Sequence, residues 1–388
     1  MPEFQSRSAP TRVVVGLSGG VDSAVAAWLL REQGHDVHGL FMSNWDEDDS
    51  YCTQAQDFQD AREVCERLRI PLHRVNFAAE YRQRVFDYFL HEYAAGRTPN
   101  PDVLCNREIK FGVCLRHAAR LGAEWFATGH YARCEQRAEG PVLLKGRDPA
   151  KDQSYFLHAV MREDLARVLF PIGDLSKTEV RRIARDAGLP VFDKPDSTGI
   201  CFIGERPFRD FLQNYLPAKP GPIESDDGRR IGQHEGLSFY TLGQRSGLEI
   251  GGVTGRPEQP WFVAAKDAAR NTLIAVQGHD HPLLSSAALE TETAHWLIAP
   301  PSAPFDCHAK LRHRHPDQAA TAIPLPNGRL RLEFRERQRA ATPGQFAVLY
   351  DGDRCLGGAV IERTFQTASA CATGASADII GVLPVEVS

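Results

Sequence analysis

The sequence predicts an α/β protein: a doubly wound parallel sheet, then a small β-rich central domain and a C-terminal β-barrel. Three observations predict it. Short apolar runs alternate with longer amphipathic ones over about the first 200 residues, the pattern of strand–helix units joined by right-handed crossovers. Glycine and proline then crowd the chain from Pro217 to Gly247, which reads as short strands and turns. From about residue 285 apolar and charged residues alternate, as in Leu330-Arg331-Leu332-Glu333-Phe334-Arg335, the period of half-buried strands. The expected domain bounds are 1–210, 211–283 and 284–388.

The elements follow in order. Val13-Val14-Val15, Val37 to Phe41 and Leu72 to Phe77 are apolar runs expected as buried strands. Between them, Val21 to Arg31, Thr53 to Leu68 and Glu80 to Ala95 are expected as helices, as is Asn106 to Leu121. Trp125 to Thr128 returns to strand. Ser176-Lys177-Thr178-Glu179 is a capping box, and Val180, Ile183, Ala184 and Ala187 behind it share one helical face. Near the end, Phe346, Val348 and Tyr350 alternate into Asp351-Gly352, a hairpin signal.

Composition narrows the function class. Net charge is −5, so the chain as a whole is not a strongly basic nucleic-acid binder, although a basic face on an acidic body remains open. No apolar run approaches the roughly 20 residues that cross a bilayer, and the opening residues lack a leader's basic and apolar segments. No membrane partner is expected. Nine cysteines at irregular spacing, with no C-x-x-C, argue against a disulfide framework or a local zinc ribbon. They point to a reducing, cytoplasmic compartment.

The stretch GLSGGVDS, Gly16-Leu17-Ser18-Gly19-Gly20-Val21-Asp22-Ser23, follows the first strand and opens the first helix. A loop there exposes backbone N–H groups and the positive end of the helix dipole. Gly19 and Gly20 let an anion approach closely, and Ser18 and Ser23 add hydroxyl donors. Asp22 is out of place beside phosphate unless a cation lies between them, and Mg²⁺ is the expected bridge. No Walker lysine follows. The string resembles the pyrophosphate loop of the N-type ATP pyrophosphatases, the PP-loop superfamily. That resemblance implies adenylation of an oxygen with release of pyrophosphate.

Cys105 lies in Asn100-Pro101-Asp102-Val103-Leu104-Cys105-Asn106. Pro99 and Pro101 are expected to hold an extended loop, with Asn106 capping the next helix, so that Cys105 sits where a helix dipole favours thiolate. Cys201 lies between Gly199 and Gly204, in what reads as a mobile loop. The two thiols could converge as an attacking and a resolving pair.

Six strings occur in order: G-x-S-G-G-V-D-S, N-P-D-x-x-C-N-x-x-I-K-F, A-T-G-H-Y-A, K-D-Q-S-Y-F-L, D-S-T-G-I-C-F-I and T-L-G-Q-R-x-G-L. Together they resemble the bacterial tRNA-specific 2-thiouridylase (MnmA) family from Gly16 to at least Gln345. The resemblance implies ATP-dependent thiolation of uridine 34 in tRNAs for Lys, Glu and Gln. Cys201 would carry a persulfide, and Cys105 would release the sulfur by forming a disulfide with it. Asp102 would act near the target base, with Asn100 and Pro101 shaping its pocket. Met42 and Gly129 would join Gly16 to Ser23 around ATP. His130, Lys151, Asp152, Gln153, Arg312, His313 and Gln345 would contact tRNA at its anticodon loop. A cysteine desulfurase or a sulfur relay protein would supply the sulfur.

Each of these residues also has a plain structural reading: Met42 as core, Gly129 as a turn, His130 as the cap of a strand end. Lys310, Arg312, Arg314, Arg329, Arg331, Arg335, Arg337 and Arg339 outnumber the acids between residues 306 and 339. This is a local reversal of sign that reads as a footprint for the tRNA backbone or as the solvated face of a barrel strand. Three rivals stay open: an amide-forming adenylating enzyme, which needs no cysteine pair; a non-catalytic RNA binder; and an iron–sulfur cluster held by Cys105, Cys201 and Asp102, disfavoured by the missing C-x-x-C.

Overall fold

The computed structural model describes residues 10–45, 54–196, 208–367, 379–380 and 382–383. These form two compact units. The first comprises residues 1–85, 101–206 and 353–355, and the second residues 86–100, 207–352 and 356–388.

The first unit is built on a parallel sheet. Its strands are β1 (Arg12–Leu17), β2 (Asp36–Ser43), β3 (Leu72–Asn76), β4 (Trp125–Thr128) and, beyond a hairpin of β5 (Ala132–Arg137) and β6 (Gly140–Lys145), the short β7 (Val168–Leu169). Their spatial order is β3-β2-β1-β4-β7. Val13, Val14 and Val15 are fully buried, as a central strand covered on both faces requires. Helix α1 (Val21–Glu32) follows β1 and buries Ala24, Val25, Ala27 and Leu30 in the same core as Val13 and Val15. The chain winds from β1 outward through β2 to β3, then returns to the other side of β1 with β4. The strand order reverses there, and a doubly wound sheet leaves a crevice outside the carboxyl ends of β1 and β4.

One expected feature differs. The helix expected from Asn106 begins at Pro101 and runs to Arg120, with π-helical turns over Cys105–Cys114. Proline fits the first turn of a helix as well as it fits a loop, because the N–H it lacks has no helical partner there. Cys105 is therefore inside the helix rather than just before it, and only 2% exposed. Asn106 does not cap; its side-chain amide donates to the Phe156 carbonyl at 3.2 Å.

The second unit contains two β assemblies. Strands 261–267, 272–277, 221–225 and 230–234 form one sheet around Ile223, Tyr240, Trp261, Val263 and Leu273. Six antiparallel strands form the other, in the order 285–291, 330–339, 318–324, 305–310, 346–351, 354–365, and the first pairs with the last to close a barrel. Leu330, Leu332, Leu349 and Ile361 fill it, as the period-two pattern predicts.

Lys266 lies in the first of these β assemblies at 1% exposure. Burial pulls its ammonium down to about 7. The unfolded chain holds that proton up to about 10.4, so unfolding takes up a proton between these values and stability rises with pH across the window. Urea midpoints measured from pH 7 to 10 should rise for the native protein, and Lys266→Met should flatten the rise.

Candidate active site

The GLSGGVDS loop closes on itself at the carboxyl end of β1. Ser23 Oγ donates to the Gly20 carbonyl at 3.1 Å and accepts from the Ser18 N–H at 3.2 Å. Gly20 is the N-cap of α1, and no side chain among the described residues caps the first N–H groups of that helix. They stay available to an anion. Gly19 has φ +75°, and a Cβ there would lie 2.4 Å from the Asp57 carbonyl oxygen. Gly129, just past β4, is equally tight against the helix: its Cβ would meet Ser23 N at 2.5 Å and the Asp22 carbonyl carbon at 2.7 Å. Only glycine lets the end of β4 and the start of α1 close on the reversal point. Leu17 and Val21 are core, and Gly16 packs against Phe126. Met42 is near the end of β2, half-buried. Just beyond it, Ser43 Oγ and Asn44 Oδ1 are buried with no hydrogen-bond partner among the described residues.

Asp22 has a cation of its own. Lys177 Nζ donates to both its carboxylate oxygens at 2.8 and 2.9 Å, and the Tyr131 hydroxyl donates at 2.7 Å. Burial, with the Asp22 charge second, pushes the Tyr131 hydroxyl far up, so it remains a donor. Lys177 also pairs with Asp196 at 2.7 Å, which in turn takes Lys151 at 2.6 Å and Arg181 at 3.0 Å. Burial opposes ionisation of Asp196, but the hydrogen bonds from Lys151 and Lys177 outweigh it and hold the carboxyl at about 2. Lys194 Nζ reaches the Gly19 carbonyl at 3.1 Å and pairs with Asp57 and Asp60. Lys177, Lys194, Asp196 and Tyr131 all escaped the reading of the sequence. One signal was there: Lys177 is the first residue of a helix with a capping box, a place where the dipole favours an anion.

A magnesium ion fits this cradle in one way only. Among the described residues no group of three or more His, Cys, Asp or Glu is placed to hold a metal, and the Asp22 carboxylate is already paired. The ion would arrive with its own phosphate ligands, which is how Mg²⁺ commonly binds.

Asp102 is in the first turn of the helix starting at Pro101. Burial raises its carboxyl pKa, against the pull of Lys110. His130 is buried between the rings of Phe111 and Phe170, with Nδ1 2.8 Å from the Thr128 hydroxyl. Burial, and Lys110 second, lower its pKa so far that it stays neutral. Asp152 is buried and accepts from the N–H groups of Gly146 and Ser154. Gln153 accepts from the Tyr131 N–H at 3.0 Å and donates its own N–H back to the Tyr131 carbonyl. These side chains brace the loops beside the cradle. Cys201 lies outside the described residues.

In the second unit several cations of the basic stretch are buried or paired. Arg331 is 2% exposed and pairs with Glu290, which also takes Arg329 and Arg363. Arg312 donates to the carbonyls of Leu242 and Ala340 and to the Thr342 hydroxyl. Gln345 donates to the Thr98 carbonyl at 2.7 Å. His313 is half-buried, whereas Arg314 and Arg335 are exposed. If the stretch is the tRNA footprint expected from the sequence, Arg314→Gln lowers the salt slope of tRNA binding by about one unit. Arg331→Gln should leave that slope unchanged and lower stability by about 2 kcal/mol, because Glu290 loses one charged hydrogen bond but keeps Arg329 and Arg363. Fluorescence anisotropy against salt and urea unfolding separate the two.

Three family models match the chain in succession: a tRNA methyl transferase HUP domain over residues 11–205, a tRNA methyl transferase PRC-barrel domain over 209–277, and an aminomethyltransferase beta-barrel domain over 286–361. The chain is 59% identical over 361 residues to the tRNA-specific 2-thiouridylase MnmA of Verminephrobacter eiseniae, covering 90% of this chain and 98% of that one. It is 56% identical over 364 residues to the protein so named from Marinobacter nauticus, covering 92% and 93%.

Proposed function

The chain belongs to the tRNA-specific 2-thiouridylase family, and from that premise we propose how its residues divide the reaction. It is an ATP-using sulfurtransferase that forms 2-thiouridine in tRNA. The target in this reading is uridine 34 of the tRNAs for Lys, Glu and Gln. The triphosphate binds on the open N–H groups of α1, with Gly16 to Ser23 and Gly129 around it. The adenosine lies toward Met42, Ser43 and Asn44. Mg²⁺ bound with it supplies charge neutralisation. Uracil O2 attacks the α-phosphorus, the bond to pyrophosphate breaks, and O2 becomes part of a good leaving group.

Cys201 carries a sulfane sulfur received from a cysteine desulfurase or a relay protein. That terminal sulfur attacks C2 and AMP departs. The Cys105 thiolate then attacks Cys201 Sγ, breaks the bond to the transferred sulfur and leaves a Cys105–Cys201 disulfide, which an external thiol must reduce. Asp102, whose carboxyl holds its proton to a higher pH than usual, serves as the proton donor or acceptor near the base, with Asn100 and Pro101 setting its position. Lys151 and His313 contact the tRNA. Among the described residues no helix is long and apolar enough to cross a membrane, and the proposed site of action is the cytoplasm.

The observation that supports this reading most is the cradle itself: open helix N–H groups at the strand reversal, closed by two glycines that tolerate no side chain. The test is incubation with ATP, Mg²⁺, a persulfide donor and tRNA, followed by nucleoside mass analysis. The expected product is 2-thiouridine at the wobble position with one AMP per sulfur. Thiolation at full rate without ATP would overturn the proposal.

A further inference from the structure

The string Thr241-Leu242-Gly243-Gln244-Arg245-Ser246-Gly247-Leu248 contributes nothing to the phosphate cradle, yet it is built as firmly. The Gln244 N–H closes a turn on the Thr241 carbonyl at 3.0 Å, and Gly243, third in that turn, has φ +79°, as a type II turn requires. The Gln244 side chain clamps the turn. Its Oε1 accepts from the Thr241 N–H at 2.9 Å, and its Nε2 donates to the Ser246 carbonyl at 2.8 Å. The Gly243 N–H donates to the Val263 carbonyl at 2.8 Å, and the Val263 N–H donates to the Gln244 carbonyl at 3.0 Å. The turn is thereby joined to strand 261–267.

This turn forms one wall of a cavity of about 300 Å³. Tyr93, Phe208, Ser238, Phe239 and Tyr240 form much of the rest, and all of these residues belong to the second unit. The rings are braced from behind. Tyr93 packs on Phe89 and Phe208 with centroids 4.8 and 5.4 Å apart, and Tyr240 meets His234 edge-on at 6.0 Å. Phe208 and Phe239 are only half-buried, so each keeps ring surface for stacking. Tyr93 is 5% exposed, and its hydroxyl has no hydrogen-bond partner among the described residues. Burial alone raises its pKa, so the hydroxyl keeps its proton. A buried hydroxyl without a partner costs stability, and a polar edge entering the cavity removes that cost. Arg245, between two residues that line the cavity, is exposed and forms no ion pair among the described residues.

We propose that this cavity takes one unpaired nucleobase of the substrate tRNA, other than the target uridine. The base stacks on the half-buried rings, the hydroxyls of Tyr93 and Ser238 meet its edge, and Arg245 meets its phosphate. Bases splayed out of RNA loops are held in this way, by aromatic faces with polar groups at the edge. About 300 Å³ is the small end of ligand pockets, room for one nucleoside and not two. The inference rests on tRNA being the substrate. The cavity shares no residue with the phosphate cradle or with the groups assigned to the target base, so its contribution is to affinity and not to the chemical step.

The test is filter binding of tRNA over a salt series for Tyr93→Phe, Phe239→Ala and Arg245→Gln, with thiolation kinetics and a melting curve for each. Tyr93→Phe removes one unpartnered hydroxyl, so its fold is not at risk. The tRNA Kd should rise by about 3- to 10-fold in Tyr93→Phe and by about 10- to 100-fold in Phe239→Ala. Arg245→Gln should lower the salt slope by about one unit. In all three, kcat and the KM for ATP should stay within about twofold of the parent. A 4-thiouridine placed singly at each unpaired anticodon-loop position and irradiated should cross-link to residues 236–247 from a position other than 34. Parental tRNA affinity in both Tyr93→Phe and Phe239→Ala would overturn the proposal. Equilibrium dialysis with the four nucleoside monophosphates separates the sources of the base. If one of them binds the parent, is lost from Tyr93→Phe, and tRNA affinity is unchanged, the cavity serves a free nucleotide and the RNA assignment is wrong. If the parent thiolates tRNA while the variants bind it normally, only the cavity is misassigned; if the parent neither binds nor thiolates tRNA, the proposed function falls with it.

Discussion

Cys201→Ser is expected to lower 2-thiouridine formation by at least about 10³-fold while tRNA-dependent AMP formation continues within a few-fold of the parent rate. A serine hydroxyl cannot hold a sulfane sulfur, so the nucleophile is lost. Adenylation of uracil O2 needs only the phosphate cradle, and Cys201→Ser changes none of its groups, Lys194 and Asp196 included. The adenylated base then meets water instead of sulfur, and AMP is released without product. Cys105→Ser should fail one step later. The sulfur reaches C2, but no thiolate cleaves it from Cys201, and a tRNA–protein adduct accumulates that dithiothreitol releases. Gel analysis with and without the thiol reads this directly. Thiolation at the parent rate by Cys201→Ser would remove the carrier assignment. Loss of iron from both variants, with no adduct in either, would instead support the cluster reading.

Much of this site was legible because its logic is local. Val13 to Ser23 carries strand, turn and helix start in one string, and Trp125 to Thr128 was read as a strand with the bounds it has. The capping box at Ser176 was equally local, and both its hydrogen bonds are present. The start of the helix at Pro101 was not legible, because proline suits both a loop and a first helical turn. Nor was the hairpin of β5 and β6, where Arg133, Glu135, Gln136 and Arg137 leave little apolar alternation. The pairing of charges was hidden for a different reason. Asp22 and Lys177 are separated by 155 positions, and nothing in either neighbourhood names the other. Arg331 stands at a position that alternation turns toward solvent, yet Glu290, opposite it on the neighbouring strand, covers it.

That distant pair carries the second large effect. Lys177→Met should reduce ATP-dependent adenylation by about 10²- to 10³-fold, the range seen when a preorganised charge is removed from a reaction centre. Lys177 bridges Asp22, in the first turn of α1, and Asp196. Negative charge builds on the phosphates as pyrophosphate leaves, and the Lys177 ammonium, held on Asp22, is a charge set in advance to meet it. The substitution also leaves two carboxylates without that partner, so stability will fall. Both acids are about one-third exposed, which keeps this loss well below that of a fully buried pair. The double variant Lys177→Met with Asp22→Asn decides between the two effects. It should recover the melting temperature, since the stranded charge is gone, and should recover none of the adenylation rate. If activity returns together with stability, Lys177 only holds the fold, and the phosphate charge must be met by another group.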